Sequence, residues 1–291
     1  MFQKIAALFI SFKALFGKAY TGVKPTWEKI AMRVPSTASK EVYSWLAALP
    51  GLRKWVGDRV CHILGMHKYE IPNEDYELTV AVKVNDIEDD QTGVYAPLIS
   101  AMGVSAANWV DELVYQALKD GFTVACYDGQ PFFDTDHPNF DEADTTFSNY
   151  QSGTGAPWFL MCTSAPIKPI IFQERQAPKF TGLDKADDEN VFKKKEILYG
   201  VDARGGVGYG LPHLVFASKA ALTPENYEAA RAAIMSRTSS AGTPLGLVPD
   251  LLVVAPTLEG AARRLLNNEQ IDGSTNEWKG TAELLVAPRL A

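Results

Sequence analysis

The residues best suited to chemistry form one short cluster, Asp134, Asp136 and His137. Two carboxylates and an imidazole are ligands that divalent metals accept, so a metal-dependent hydrolase is one function to weigh. However, alternate residues on an extended chain point to opposite sides, and no second His-rich segment offers further ligands. The preceding Asp128 and Gly129 favour a turn-rich loop held by side-chain to backbone hydrogen bonds. We therefore expect a structural role for this cluster and keep the hydrolase as the less favoured alternative.

Other stretches that resemble known sites lack essential residues. The glycine-rich run at 205–210, GGVGYG, does not fit G-x-G-x-x-G in any register. The acidic run at 86–90 lacks the glycine and the terminal glutamate of a calcium loop. It is typical of a solvated strand end or of a salt-bridging patch across an interface. The sequence thus predicts no catalytic residue, no metal and no cofactor, and we expect the protein not to be an enzyme.

Composition limits the class of protein further. A chain of 291 residues with 46% hydrophobic content can bury the core of one large or two modest domains. Its formal net charge of -7 argues against a nucleic-acid-binding surface as its main feature. The cysteines Cys61, Cys126 and Cys162 have no CxxC spacing and are expected to be reduced, mostly buried thiols.

Residues 69–95 carry the clearest periodic pattern. Apolar and polar residues alternate with period two, which indicates a strand with one apolar face. Pro72 and the neighbouring Asn and Asp residues favour a turn, so we predict a long two-stranded arm. An isolated hairpin is marginal in water, and this arm is therefore expected to lie on a neighbouring subunit. The candidate subunit-interface residues are Tyr76, Leu78, Val80, Val82, Val84, Asp86, Glu88 and Asp89.

The first twenty residues predict an amphipathic helix. Lys4, Ser11 and Lys18 recur every seven residues as a polar stripe opposite a broad apolar side. We expect this helix to dock on a neighbouring subunit or a scaffold. Membrane-surface binding and cleavage of a signal peptide are the competing interpretations. No later segment has the apolar length needed to span a bilayer.

The remaining patterns predict an α+β protein without repeats. Short helical patterns cover 39–49 and 52–64, and a longer helix of about 24 Å is expected over 105–120. The apolar stripe of this longer helix is expected to bury Trp109 against strands of the same domain. Strand-like runs fall at 169–173, 196–199 and 214–216. Thr223, Pro224 and Glu225 supply the start of another helix. A short buried strand at 251–254 precedes a last helix containing 258–266.

Several blocks, taken together, resemble the major head (capsid) protein family of Mu-like phages, the gene product T family. The resemblance runs from about Trp27 to the C-terminus. The blocks that carry it are YSWL at 43–46, LRKWVG at 52–57, YELTV at 76–80, DIEDD at 86–90, GVYAP at 93–97, DGQPFFD at 128–134, DHP at 136–138 and IFQER at 171–175.

The resemblance implies the Hong Kong-97-type phage capsid fold. On this basis we assign an N-terminal arm to 1–68, an extended hairpin or E-loop to 69–95, a P-domain with a spine helix to 96–220 and an A-domain to 221–291. The connectivity is expected to be permuted, with 155–220 returning to the P-domain and the chain ending within the A-domain. Hinges at Pro72 and Gly93 would let one chain fit several positions in a shell.

The implied function is that of a shell protein in the virion. Copies would assemble in the host bacterial cytoplasm into hexamers and pentamers, with a scaffold protein, a portal and decoration proteins as partners. The shell would enclose double-stranded DNA without sequence-specific binding and without a membrane. An encapsulin-like compartment, which uses the same fold without portal or DNA, is the alternative from a different class.

Overall fold

The computed structural model describes residues 2–47, 69–89, 92–140, 142–185, 187–239, 242–271 and 273–291. Its helices are α1 (Phe2–Gly22), α2 (Val84–Glu88), α3 (Ala96–Asp120), α4 (Glu189–Lys194), α5 (Pro224–Met235) and α6 (Glu259–Asn267). The helical pattern at 52–64 lies outside the described residues. The pattern at 39–49 is wrong where it is described, because β2 and a 3-10 turn at Ser44–Ala47 occupy it.

The strands in the first half of the chain are β1 (Ala31–Pro35), β2 (Lys40–Val42), β3 (Glu70–Pro72), β4 (Glu74–Lys83), β5 (His137–Asn139), β6 (Glu142–Phe147), β7 (Tyr150–Gln151) and β8 (Trp158–Met161). Those in the second half are β9 (Ile170–Leu183), β10 (Glu196–Tyr209), β11 (Val215–Ser218), β12 (Leu251–Val254), β13 (Gln270–Ile271), β14 (Ser274–Thr275) and β15 (Glu283–Val286).

A four-stranded sheet of order β1-β9-β10-β4 forms one half of the subunit. The strands β9 and β10 are each 14 residues long, well beyond the predicted runs at 169–173 and 196–199. β4 pairs antiparallel with β10 over ten residues, from Lys83 opposite Glu196 to Glu74 opposite Gly205. The two-stranded arm predicted over 69–95 is therefore wrong. Its period-two pattern does mark a strand, but the partner comes from a segment more than a hundred residues away.

The N-terminal helix α1 covers this sheet from the same subunit. Ile5, Phe12 and Phe16 are buried, and the rings of Phe12 and Tyr199 (on β10) meet edge to face at 5.2 Å. The predicted polar stripe does face solvent. The helix itself is as predicted, but its apolar side is buried in its own chain, so docking of that side on a neighbour is wrong. The aromatic side chains of α1 are buried against the sheet of the same subunit, so this helix does not need a neighbouring subunit to cover them.

The long helix α3 crosses the sheet and is the predicted spine helix, although it begins at Ala96 rather than near Ser105. Pro97 lies at its first turn, where a missing N–H costs nothing. Trp109 is 8% exposed, and its ring lies 5.6 Å from that of Phe172 and 5.1 Å from that of Tyr76. The expected burial of Trp109 against strands of the same subunit is confirmed.

A carboxylate inside the spine helix anchors the segment that follows α1. The Asp111 side chain accepts hydrogen bonds from the backbone N–H groups of Thr26 (3.0 Å) and Trp27 (2.7 Å). Burial raises the pKa of this carboxyl above its ordinary value, against the opposing effect of these hydrogen bonds. The chain after α1 is thus fixed to α3 before it enters β1.

A second sheet of five short strands has the order β15-β12-β8-β11-β7. β8, from the middle of the chain, pairs with β12 so that Leu160 lies opposite Leu252. The division at residues 220 and 221 is therefore wrong, because β7, β8 and β11 share a sheet with β12 and β15. β8, β11 and β12 are four-residue strands that are buried on both faces, and such strands need a paired strand on each edge. β8 lies between β11 and β12 and pairs with both.

The end of the chain returns to the spine helix. The Ala291 carbonyl accepts a hydrogen bond from the Lys119 ammonium at 3.2 Å, and Arg289 pairs with Glu112 at 2.9 Å. The chain was expected to finish within the A-domain, away from α3, and this is wrong. β9 and β10 do contact the spine helix, as the expected return to the P-domain required.

Glycines in β10 allow another strand to approach closely. A Cβ built on Gly206 would lie 2.1 Å from the Pro72 carbonyl oxygen, and one on Gly208 would lie 2.5 Å from the Ile71 side chain. The glycine run at 205–210 therefore serves strand packing, because β3 rests directly on the backbone of β10.

Replacement of Trp109 by alanine should lower the free energy of unfolding by about 3–5 kcal/mol, because a buried indole is lost at the helix–sheet contact. That is a large part of the roughly 5–15 kcal/mol available to a folded domain, so we expect mostly insoluble protein. The matched control is Phe192→Ala, which removes a ring that is 82% exposed. Soluble Trp109→Ala protein with an unchanged thermal transition would contradict the packing role.

Gly206→Ala should destabilise the subunit, because the new methyl group has to displace β3 from β10. Gly200→Ala is the matched control on the same strand, since a Cβ there meets its nearest atom, the Thr79 hydroxyl oxygen, at 3.4 Å. Thermal denaturation of the two variants checks the expectation. Equal midpoints for both would show that β3 does not need the bare backbone of Gly206.

Candidate functional site

The fold separates the side chains of Asp134, Asp136 and His137, the cluster considered for hydrolysis. His137 is fully buried and lies in β5, where its Nδ1 contacts an Asp128 carboxylate oxygen at 2.7 Å. Asp134 instead accepts a hydrogen bond from the Thr135 backbone N–H, and Asp136 is exposed. The three residues do not converge on one point, so the hydrolase alternative based on Asp134, Asp136 and His137 is wrong.

The structure groups His137 with two residues that the sequence analysis did not assign to a site. Cys126, Asp128 and His137 place one potential ligand atom each within 4.8 Å of one another. Burial by itself raises the pKa of Asp128, but hydrogen bonds from His137 and Cys126 outweigh it and hold that pKa below its ordinary value. Burial raises the pKa of the Cys126 thiol, which is therefore protonated in the cluster as it stands. In the sequence, the pair Asp128 and Gly129 was a signal for this cluster, but it was interpreted only as a turn.

The apolar candidate interface residues on β4 and at the start of α2 divide into two groups. Val82 and Val84 are buried in their own subunit, in the cluster that includes Ile5 and Phe12 of α1. Burial of these two valines by a neighbour is therefore wrong. The other apolar members become more accessible toward the start of the strand. Val80 and Tyr76 are half-buried, and Leu78 is 37% exposed.

The accessible end of β4 borders a groove of about 210 Å³ between the four-stranded sheet and α3. Leu78, Pro178 and Ala106 supply apolar parts of its lining, and Glu77 and Glu112 add two carboxylates, of which that of Glu112 is paired with Arg289. Trp109 also lines it, and the indole Nε1 has no hydrogen-bond partner among the described residues. The groove thus offers an apolar surface with acidic groups beside it.

The acidic candidates lie in and just after the short helix α2. Asp86 accepts a hydrogen bond from the Tyr95 hydroxyl, and this bond together with burial raises the pKa of Tyr95. Glu88 and Asp89 are exposed. Asp86 therefore makes a hydrogen bond within its own subunit. The carboxylates of Glu88 and Asp89 remain accessible to a partner.

A further feature was not predicted from the sequence. β2 and β3 pair antiparallel, with Lys40 opposite Pro72 and Val42 opposite Glu70. The Tyr43 N–H continues the ladder by donating to the Tyr69 carbonyl. Tyr43 and Tyr69, which flank residues 44–68, are therefore held at one place.

None of the helices in the described residues is long and apolar enough to span a bilayer.

Comparison with known proteins gives consistent results. Residues 5–290 match the family described as the Mu-like prophage major head subunit gpT. The major capsid protein of Escherichia phage Mu is 40% identical over 98% of each chain. The Mu-like prophage FluMu major head subunit of Haemophilus influenzae is also 40% identical, over 91% of this chain and 89% of the relative.

Solved structures agree in fold. A chain of the procapsid of bacteriophage JBD30 matches with a TM-score of 0.84, 39% identity and 98% coverage of both chains. A chain of the JBD30 capsid matches with a TM-score of 0.81, 29% identity and 92% coverage of both. These matches confirm the α+β capsid fold inferred from the sequence, and the family match at residues 5–290 includes most of α1, where the sequence resemblance had not been carried. The chain therefore belongs to the Mu-like prophage major head subunit gpT family, and it is a structural capsid protein rather than an enzyme.

Proposed function

We propose that this chain builds the icosahedral head shell of a tailed phage or prophage by associating with copies of itself into hexamers and pentamers. The observation that supports this most strongly is the match over 98% of both chains to a subunit of an assembled procapsid. Negative-stain microscopy of the purified protein is the test. Closed shells, tubes or rings are the expected result, and a monodisperse monomer at all concentrations would contradict it.

The domain boundaries are revised within this proposal. The four-stranded sheet with α1 and α3 corresponds to the P-domain, and the five-stranded sheet with α5 and α6 corresponds to the A-domain. Each draws on several separate stretches of the chain. Residues 31–35, 74–83 and 170–209 belong to the first, and residues 150–161 and 215–286 belong to the second.

The E-loop is reassigned from 69–95 to the chain between β2 and β3. Support comes from the paired strands β2 and β3, which form the roots of this segment. The pairing of Val42 with Glu70 holds both ends of the segment at one place. Its sequence also suits contact with a groove that has acidic lining residues. Residues 48–68 carry Arg53, Lys54, Arg59 and Lys68 against one acidic residue, together with several large apolar side chains.

The proposed function also implies partners other than further copies of this chain. A portal, a scaffold protein and decoration proteins would bind the shell during assembly in the host bacterial cytoplasm. One JBD30 capsid structure is decorated with minor capsid protein trimers, which illustrates such a partner for a relative. With a net charge of -7, the shell would contain double-stranded DNA by enclosure rather than by a basic surface.

Leu78→Asp should leave a folded, soluble subunit that does not form closed shells. Leu78 is 37% exposed beside the groove, so a charge there costs the isolated subunit little but would be buried against a partner. Ala81→Asp adds the same charge on the opposite, exposed face of β4 and should still assemble. Microscopy and thermal denaturation of both variants check this. Normal shells from Leu78→Asp, or equal failure of both variants, would contradict the assignment.

Replacing residues 52–64 by a Gly/Ser linker of equal length should abolish closed shells while leaving the thermal transition of the subunit in place. The paired roots at β2 and β3 are kept, so the described core loses no strand. The control exchanges residues 184–188, which connect β9 to α4, in the same way. Loss of the thermal transition, or normal assembly, would show that the interface lies elsewhere.

A further inference from the structure

A tight turn brings a thiol and a carboxylate to the same side of the chain. The Gly129 N–H donates to the Cys126 carbonyl at 3.1 Å, and the Cys126 N–H donates to the Gln130 carbonyl at 2.8 Å. Gly129 has φ +85°, a conformation that glycine adopts readily. As a result, the Cys126 Sγ lies 3.1 Å from one oxygen of Asp128.

The imidazole of His137 reaches this turn from β5. Its Nδ1 lies 2.7 Å from the second carboxylate oxygen of Asp128, and its Nε2 lies 3.2 Å from the Phe132 carbonyl oxygen. Both ring nitrogens therefore face acceptor atoms. In a fully buried position, the contact between Nδ1 and Asp128 is therefore a place where a metal ion can take the position of the hydrogen-bonded proton.

The chemistry of the three donors suits a transition metal. Thiolate, carboxylate and imidazole are the ligands that Zn²⁺ takes in proteins. A metal-bound histidine usually donates its other ring N–H to a carbonyl or carboxylate, and Phe132 offers such a carbonyl to Nε2 of His137. One thiolate and one carboxylate also neutralise a divalent ion, as a buried site requires.

We propose that Cys126, Asp128 and His137 form a structural site for one divalent transition-metal ion of the zinc class. The ion would bind Sγ, one carboxylate oxygen and Nδ1, and a water molecule would complete a tetrahedron. With bond lengths of about 2.0–2.3 Å, the ligand atoms of a tetrahedral site lie roughly 3.3–3.5 Å apart. Asp128 would therefore move slightly away from Sγ and Nδ1, which its oxygens contact at 3.1 Å and 2.7 Å, when the ion enters. The thiol proton and the proton shared by His137 and Asp128 leave to solvent. The bound ion ties the turn at 126–130 to β5.

Cobalt titration of the full-length purified chain tests this proposal, because thiolate coordination to Co²⁺ gives an intense charge-transfer band. We expect one Co²⁺ per chain with that band, and its loss in Cys126→Ser. Cys162→Ser is the matched control, since Cys162 is equally buried but outside the cluster. Cys61→Ser is the second control. Both should keep the band.

Thermal denaturation gives an independent measurement on the same proteins. Zn²⁺ should raise the midpoint of the wild type and of Cys162→Ser but leave Cys126→Ser unchanged, because only an ion bound to the folded state stabilises it. His137→Gln should weaken Co²⁺ binding at least about tenfold, in the range lost when metal-site residues are altered. A wild-type chain without the thiolate band, or the same band in Cys126→Ser, would overturn the site and leave a hydrogen-bonded ion pair.

Discussion

The contact between one long helix and one long sheet organises this subunit. Trp109 lies at the crossing, with Phe172 of β9 on one side and Tyr76 of β4 on the other. β4 and β9 are far apart in the chain, and both must be in place before that ring is buried. The N-terminal helix covers the part of the same sheet around Tyr199. The last residues of the chain form polar contacts with the spine helix. A shell subunit needs a rigid body of this kind, because its neighbours must meet a fixed surface.

Close strand approach is the second requirement. β3 can rest on β10 only because Gly206 and Gly208 have no side chains, and β3 in turn pairs with β2. The glycines thus support the roots of the segment to which we assign the contact with neighbouring copies. A stretch that resembles an incomplete nucleotide-binding motif is explained by packing, without any ligand.

Local signals in the sequence predict several elements correctly. The amphipathic N-terminal helix, the burial of Trp109, the helix beginning after Thr223 and the strand at 251–254 all follow from spacing or capping residues. Local signals are not sufficient where a structure depends on a partner distant in sequence. The alternation from Tyr76 to Val84 identifies a strand face, but nothing in it shows that α1 covers Val82 while Leu78 stays accessible. Likewise, His137 was grouped with its neighbours in sequence, although its contact in the fold is Asp128 across a turn.

β4 belongs to the sheet of its own subunit, and we therefore assign assembly to the surface around Leu78 and to the segment between β2 and β3. Hydrogen–deuterium exchange on unassembled subunits tests this arrangement. If β4 pairs with β10 within one chain, backbone amides from Tyr76 to Lys83 that donate to β10 are already protected before assembly. Rapid exchange of these amides that becomes slow only in closed shells would contradict the account.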